Sequence, residues 1–114
     1  MEFEVSKSDG AVVVSLSGEI VCREDQRAMT GLVDDHLEAG EQTFVVDLSR
    51  VPYVSSLGIA VLVAAYVKID RAAGSLCLVN PRPKVTKVLE MTQVARMFRT
   101  YSSVDEALSA DASP

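Results

Sequence analysis

The chain has 114 residues, 48% of them hydrophobic, with sixteen acidic and eleven basic side chains and a net charge of −5. That length suits one domain, and the acidic balance argues against nucleic-acid binding, which needs a basic face. With three Phe, three Tyr and no Trp, the core must be built from aliphatic side chains.

Phe3 and Val5 alternate with Glu2, Glu4 and Ser6, the period-two pattern of a half-exposed strand. Lys7-Ser8-Asp9-Gly10 is a turn, with Asp-Gly its strongest signal. Ala11 to Ser17 is a second strand with Val12, Val14 and Leu16 on one face, so the two strands form a hairpin. Gly18-Glu19 breaks it. From about Arg23 to Ala39 the period becomes helical, and Met29, Leu32, Val33, His36 and Leu37 form one stripe. Glu24 and Asp25 lie in the first turn, where the helix dipole favours them, and Gly40 is a natural stop.

Thr43 to Leu48 reads as a third strand whose Phe44-Val45-Val46 run lacks alternation, so both faces are expected to be buried. Val51-Pro52-Tyr53-Val54 leads to a second helix, about Ser56 to Ala73, apolar nearly all round and ended by Gly74. Leu76 to Val79 is a fourth strand. Asn80-Pro81-Arg82-Pro83 is a stiff turn with Pro83 near a helix start, and Val85, Val88 and Leu89 mark a short amphipathic helix. Met97 to Tyr101 suits a last strand or extended edge. Ser103-Val104-Asp105-Glu106 reads as a capping box, Ser103 at the N-cap and Glu106 at N3, before a helix that buries Val104, Ala107 and Leu108. Ala110 to Pro114 is expected to fray. Strands alternating with helices imply parallel crossovers. The expected fold is α/β, a mixed, mostly parallel sheet of four to five strands with an opening β-hairpin and about four helices, in a single domain over residues 1–110 and a tail at 111–114.

Charge is unevenly spread. Residues 1–47 hold eleven acidic and three basic groups, whereas residues 82–99 hold Arg82, Lys84, Lys87, Arg96 and Arg99 against Glu90 alone. Such a bias is either a solvated surface or a partner-docking patch. Cys22 and Cys77 match no metal spacing, and Cys77 sits in an apolar run, which suits a buried thiol. No signal-peptide pattern precedes the first strand, and the apolar stretch from Ile59 to Val67 is too short to span a membrane. A cytoplasmic location is expected.

The residues offer little catalytic chemistry. His36 is the only histidine and lies on an inward helix stripe. Ser55 or Ser56 could serve as a nucleophile, but Val54 breaks the G-x-S-x-G pattern of a hydrolase elbow. There is no glycine loop for phosphates and no metal cluster in the sequence, so neither a cofactor nor enzymatic activity is expected. The junction from Val54 to Gly58 is the unusual feature. It follows a parallel strand, where ligands gather in open α/β sheets. Ser55 or Ser56 would cap the helix, and a helix start tolerates a phosphate. Both serines are therefore candidate phosphoacceptors.

The stretch Val45-Val46-Asp47-Leu48-Ser49-Arg50-Val51-Pro52-Tyr53-Val54-Ser55-Ser56-Leu57-Gly58-Ile59-Ala60-Val61-Leu62 resembles the signature of the STAS family, which includes anti-sigma factor antagonists and sulphate-transporter domains. Gly18-Glu19-Ile20, Leu78-Val79-Asn80-Pro81 and Val88-Leu89-Glu90-Met91-Thr92 match in order, and the likeness covers roughly residues 3–110. The resemblance implies a regulator of transcription that binds an anti-sigma factor, typically a serine kinase, and switches partners on phosphorylation. It implies partner contacts at Gly18, Glu19, Ile20, Val54, Ser55, Ser56, Leu57, Gly58, Asn80 and Pro81. The family's motif aspartate is replaced by Ser55, its first hydroxyl is kept as Ser56, and its commonly phosphorylated position is Leu57. Gly58 is kept, Ala60 replaces the next glycine, and Val21 stands where aspartate is common. A second expectation is a phosphorylation-independent STAS adaptor of a transporter or signalling complex, and a third is a small serine hydrolase.

Overall fold

In the computed structural model, which describes residues 2–19 and 23–112, strands β1 (Glu2–Ser8) and β2 (Ala11–Ser17) pair antiparallel. Asp9 and Gly10 connect them with φ of 51° and 80°. Two consecutive positive φ values are what a tight two-residue hairpin turn demands, and Asp-Gly is the pair that meets it most cheaply. Helix α1 (Arg23–Glu38), strand β3 (Thr43–Arg50), helix α2 (Ser56–Arg71) and strand β4 (Ser75–Val79) follow. Then come helix α3 (Pro83–Met91), a 3-10 turn (Ala95–Met97), strand β5 (Arg99–Tyr101) and helix α4 (Val104–Ala112). The expected last strand is therefore shorter than Met97 to Tyr101, its first part being taken by the 3-10 turn. Helix α4 continues to Ala112, two residues past the expected domain boundary.

The strands stand side by side in the order β1-β2-β3-β4-β5, and every pair after the hairpin is parallel. That order decides where the helices go. A strand–helix–strand crossover between parallel neighbours is almost always right-handed. Three crossovers that all advance in one direction put α1, α2 and α3 on one face. Met29 and Val33 of α1, Leu62 and Ile69 of α2, and Val85 and Leu89 of α3 meet Val12, Val14, Phe44, Val46 and Leu78 there. The opposite face holds Ala11, Val13, Val45, Cys77 and Val79, and α4 covers it with Ala107, flanked by Val104 and Leu108. Phe44-Val45-Val46 is accordingly buried on both faces. Each such aliphatic side chain contributes about 1.5–3 kcal/mol on burial.

Several local expectations change. Val5 is 42% exposed and, with Phe3 alone of its strand half-buried, β1 is mostly an exposed edge. The expected hairpin forms and pairs Val5 with Val14, but no layer covers Val5. The α2 stop is also different from the expected one. Ala73, not Gly74, takes the left-handed conformation, with φ of 61°. Its N–H donates to Asp70 O at 3.0 Å, and the Gly74 N–H donates to Ile69 O at 2.8 Å, a Schellman pair. Gly74 is needed for space. At the end of α1, by contrast, Gly40 itself is left-handed with φ of 91°. Half of the capping box forms. The Glu106 N–H donates to Ser103 Oγ at 3.1 Å, while the Glu106 carboxylate accepts from the Ser102 hydroxyl.

Candidate functional site

Because β2, β3 and β4 are parallel, their carboxyl ends share one edge of the sheet, and the loops after them form one rim. Gly18 leaves β2 with φ of 80°, and its N–H donates to Arg50 O at 3.2 Å. The pairing of β2 with β3 slips between Ser15 and Ser17, β3 carrying one extra residue before pairing resumes at Ser17 and Arg50. Irregularities of this kind re-aim the chain at a sheet rim. After β3, the Val51 N–H closes a turn on Leu48 O at 3.0 Å. After β4, Asn80 takes φ of 49°, and its N–H donates to Tyr101 O at 2.7 Å. Arg82 then reaches across, its Nε donating to Ser49 O at 2.9 Å. That bond fastens the loop after β4 to the end of β3.

The start of α2 is central to this rim. Ser55 is its N-cap, in an extended conformation, and its Oγ accepts from the Gly58 N–H at 3.3 Å. The Ile59 N–H donates to Ser55 O at 2.9 Å. The serine hydroxyl thus satisfies one of the N–H groups that every helix start leaves over. Ser56, the first helical residue, is exposed. Leu57 is half-buried and packs against the main core. Val54 and Gly58 are buried, and they share a small apolar cavity with Gly18, Tyr53, Leu16 and Leu48.

The residues expected to contact a partner therefore divide. Glu19, Ser56 and Asn80 are exposed on the rim, and Gly18, Ser55, Leu57 and Pro81 are half-buried there. Val54 and Gly58 lie beneath it and act by packing. Ile20 lies outside the described residues, as do Val21 and Cys22. Two exposed rim residues were not among those expected: Tyr53, 45% exposed, and Pro52. Arg82 joins them through its bond to Ser49. No signal in the sequence singled out Tyr53, because it lies in the connection between β3 and α2, where no periodicity fixes which side chains face outward.

A histidine does not accompany the serines. His36 Nδ1 donates to Leu32 O at 2.8 Å, and its ring meets Phe44 edge-on at 6.4 Å. Phe44 lies near the beginning of β3, whereas the serines follow its end. The six residue steps from Phe44 to Arg50 span roughly 20 Å of strand, so no proton relay links His36 to Ser55 or Ser56. Among the described residues no group of His, Cys, Asp or Glu could hold a metal ion. No described helix is long and apolar enough to cross a membrane.

Comparison with known proteins gives a consistent picture. The STAS domain model matches residues 2–107. BtrV of Bordetella bronchiseptica, assigned as an anti-sigma factor antagonist, is 26% identical over 110 residues, covering 96% of this chain and 94% of that protein. The crystal structure of an anti-sigma factor antagonist from Mycobacterium paratuberculosis is 30% identical with a TM-score of 0.80, covering 96% of this chain and 92% of that one. The crystal structure of a protein from Thermotoga maritima, with the same assignment, has a TM-score of 0.86 at 25% identity and covers 95% and 92% of the two chains.

Proposed function

Since this chain belongs to the STAS domain family and is an anti-sigma factor antagonist-like protein, we propose that it binds an anti-sigma factor of the serine-kinase type and so regulates transcription. It works without catalysis of its own, in the cytoplasm, and its contact surface is the rim formed by Gly18, Glu19, Ser55, Ser56, Leu57, Asn80 and Pro81, with Val54 and Gly58 packed below and Ile20 added on the family resemblance alone. The observation that carries this reading is the start of α2. Ser56 stands exposed at the first helical position, on the edge where the loops after three parallel strands converge. A phosphate on Ser56 would sit near the positive end of the helix dipole and leave the fold intact. It would still place about −1.5 to −2 charges where a partner docks. Ser55 is the poorer acceptor, because its hydroxyl caps the helix.

The test uses the kinase-type anti-sigma factors encoded in the same genome. Isothermal titration should find a complex with one of them, and incubation with that kinase and ATP should add one phosphate at Ser56. Failure of every such factor to bind would sink the proposal.

A second reading is favoured by Leu57. At the family's usual acceptor position this chain has a side chain packed against its core, with no hydroxyl to modify. That suits an adaptor whose binding does not respond to phosphorylation. Intact mass separates the two readings: a stable complex with no phosphate gained by Ser55 or Ser56 selects the adaptor.

A further inference from the structure

The rim continues onto a basic surface. Along the sheet edge, Tyr53 borders the cavity it shares with Gly18, and its neighbour Pro52 borders a second, open concavity with Arg82, Pro83 and Lys84. Beyond it runs the outer face of α3. Val85 and Leu89 point into the core, so residues on the opposite side, Lys84, Lys87 and Met91, face solvent at the i, i+3 and i+7 positions of one stripe. Met91 is 72% exposed.

This surface runs against the character of the chain. The protein is acidic overall, with a net charge of −5, yet between residues 82 and 99 only Glu90 interrupts five basic side chains. Two cations outside this segment are paired, Lys7 with Glu41 and Lys68 with Asp34, while Arg27, Arg50 and Arg71 stand singly in the sequence rather than in a cluster. Arg82, Lys84 and Lys87 are in no ion pair among the described residues, and Arg82 spends its Nε on a carbonyl. Like charges kept together and unpaired repel one another, a cost an oppositely charged partner removes. Exposed Tyr, Arg and Met beside them are residue types enriched at protein interfaces.

We infer that Arg82, Lys84 and Lys87 form a docking surface for an acidic segment of the protein partner, with Tyr53 as its aromatic anchor. The inference rests on the function proposed above and adds to it the chemistry of the partner: the anti-sigma factor presents carboxylates to α3 and an apolar pocket to Tyr53.

The test is titration of the anti-sigma factor that binds the wild type, at low and at moderate salt. Lys84→Glu with Lys87→Glu should weaken binding by at least about tenfold, because reversed charges repel the partner's carboxylates. Neither lysine side chain bonds to another group among the described residues, so thermal melts should match the wild type or slightly exceed it as the like charges are relieved. Tyr53→Ala should weaken binding by about tenfold or more with little salt dependence. Arg71→Glu is the control. It alters charge at the other end of α2, roughly 22 Å from Ser56 at 1.5 Å per residue, and should change affinity less than about twofold. Binding of the double lysine variant at wild-type strength would overturn the docking surface while leaving the proposed function standing. Loss that follows net charge alone, equal per charge in Arg71→Glu, would overturn it too. If the double variant instead abolishes binding to duplex DNA or to anionic vesicles while sparing the anti-sigma factor, the surface serves a different class of partner and the inference fails. A wild type that binds no anti-sigma factor removes both readings together.

Discussion

Gly74 lies so close to Gln42 that a Cβ on Gly74 would stand 2.4 Å from the Gln42 carbonyl oxygen and 2.9 Å from Ile69 Cγ2. That same carbonyl accepts from the Ser75 N–H at 2.7 Å, so it is tied to the start of β4 and cannot retreat cheaply. Gly74→Ala is expected to cost about 1–3 kcal/mol through this overlap. Ala73→Gly, one residue earlier, is expected to gain about 0.5–1 kcal/mol by relieving a left-handed alanine. Urea unfolding of the two variants checks both signs. A neutral Gly74→Ala would show that the strand start moves more freely than its hydrogen bond implies.

Ser55→Ala removes the hydroxyl that accepts from the Gly58 N–H. The expected loss is about 1 kcal/mol, and Ser55→Asp should keep most of the stability. Unfolding free energies of the two variants decide the matter, since an alanine as stable as wild type would mean that water caps the helix equally well.

Ser56→Glu separates the fold from the switch. The residue is exposed at the first helical position, where a negative charge is tolerated or favoured by a few tenths of a kcal/mol. The melting temperature should hold or rise slightly while anti-sigma factor binding weakens. Wild-type affinity in this variant would argue that Ser56 is not the switch.

Helix α4 guards the second face through a single buried methyl. Ala107 is fully buried against Val13, Val45 and Val79. Ala107→Leu would overfill that contact and is expected to cost about 1–3 kcal/mol. Ala107→Asp, burying a carboxyl among aliphatic groups, should cost more. Melts of the pair, in which the aspartate variant must be the less stable, test whether α4 packs as tightly as its burial indicates.

Much of this fold is legible in the residues because local and long-range preferences agree. Asp9-Gly10 supplies both positive φ values of its turn, and the unbroken Phe44-Val45-Val46 run is buried on both faces. Of the two serines expected to cap the helix, Ser55 is the one that does. Where the reading fell short, the missing information was tertiary. Periodicity orients Val5 without telling whether a helix lies over it. A glycine after a helix reads as its left-handed stop, and at Gly74 only the approach of Gln42 reveals another reason for it. The junction after β3 was legible as a helix start, but Val54 and Gly58 lie beneath the rim and Tyr53 stands on it. Neighbouring positions in a turn cannot be ranked by exposure without knowing which way each one faces.

Strand order in space follows strand order in the chain, and this has a consequence for biogenesis. During N-to-C synthesis each new strand finds the previous one as its open edge, so no strand has to be inserted between two already paired. The covering of the two faces is not simultaneous, however. One face gains α1, α2 and α3 as the sheet grows, but the other, with Val13, Val45, Cys77 and Val79, stays bare until α4 is made. A nascent chain released before Val104 would carry an aliphatic sheet surface open to self-association, which makes the last short helix the closing step of assembly.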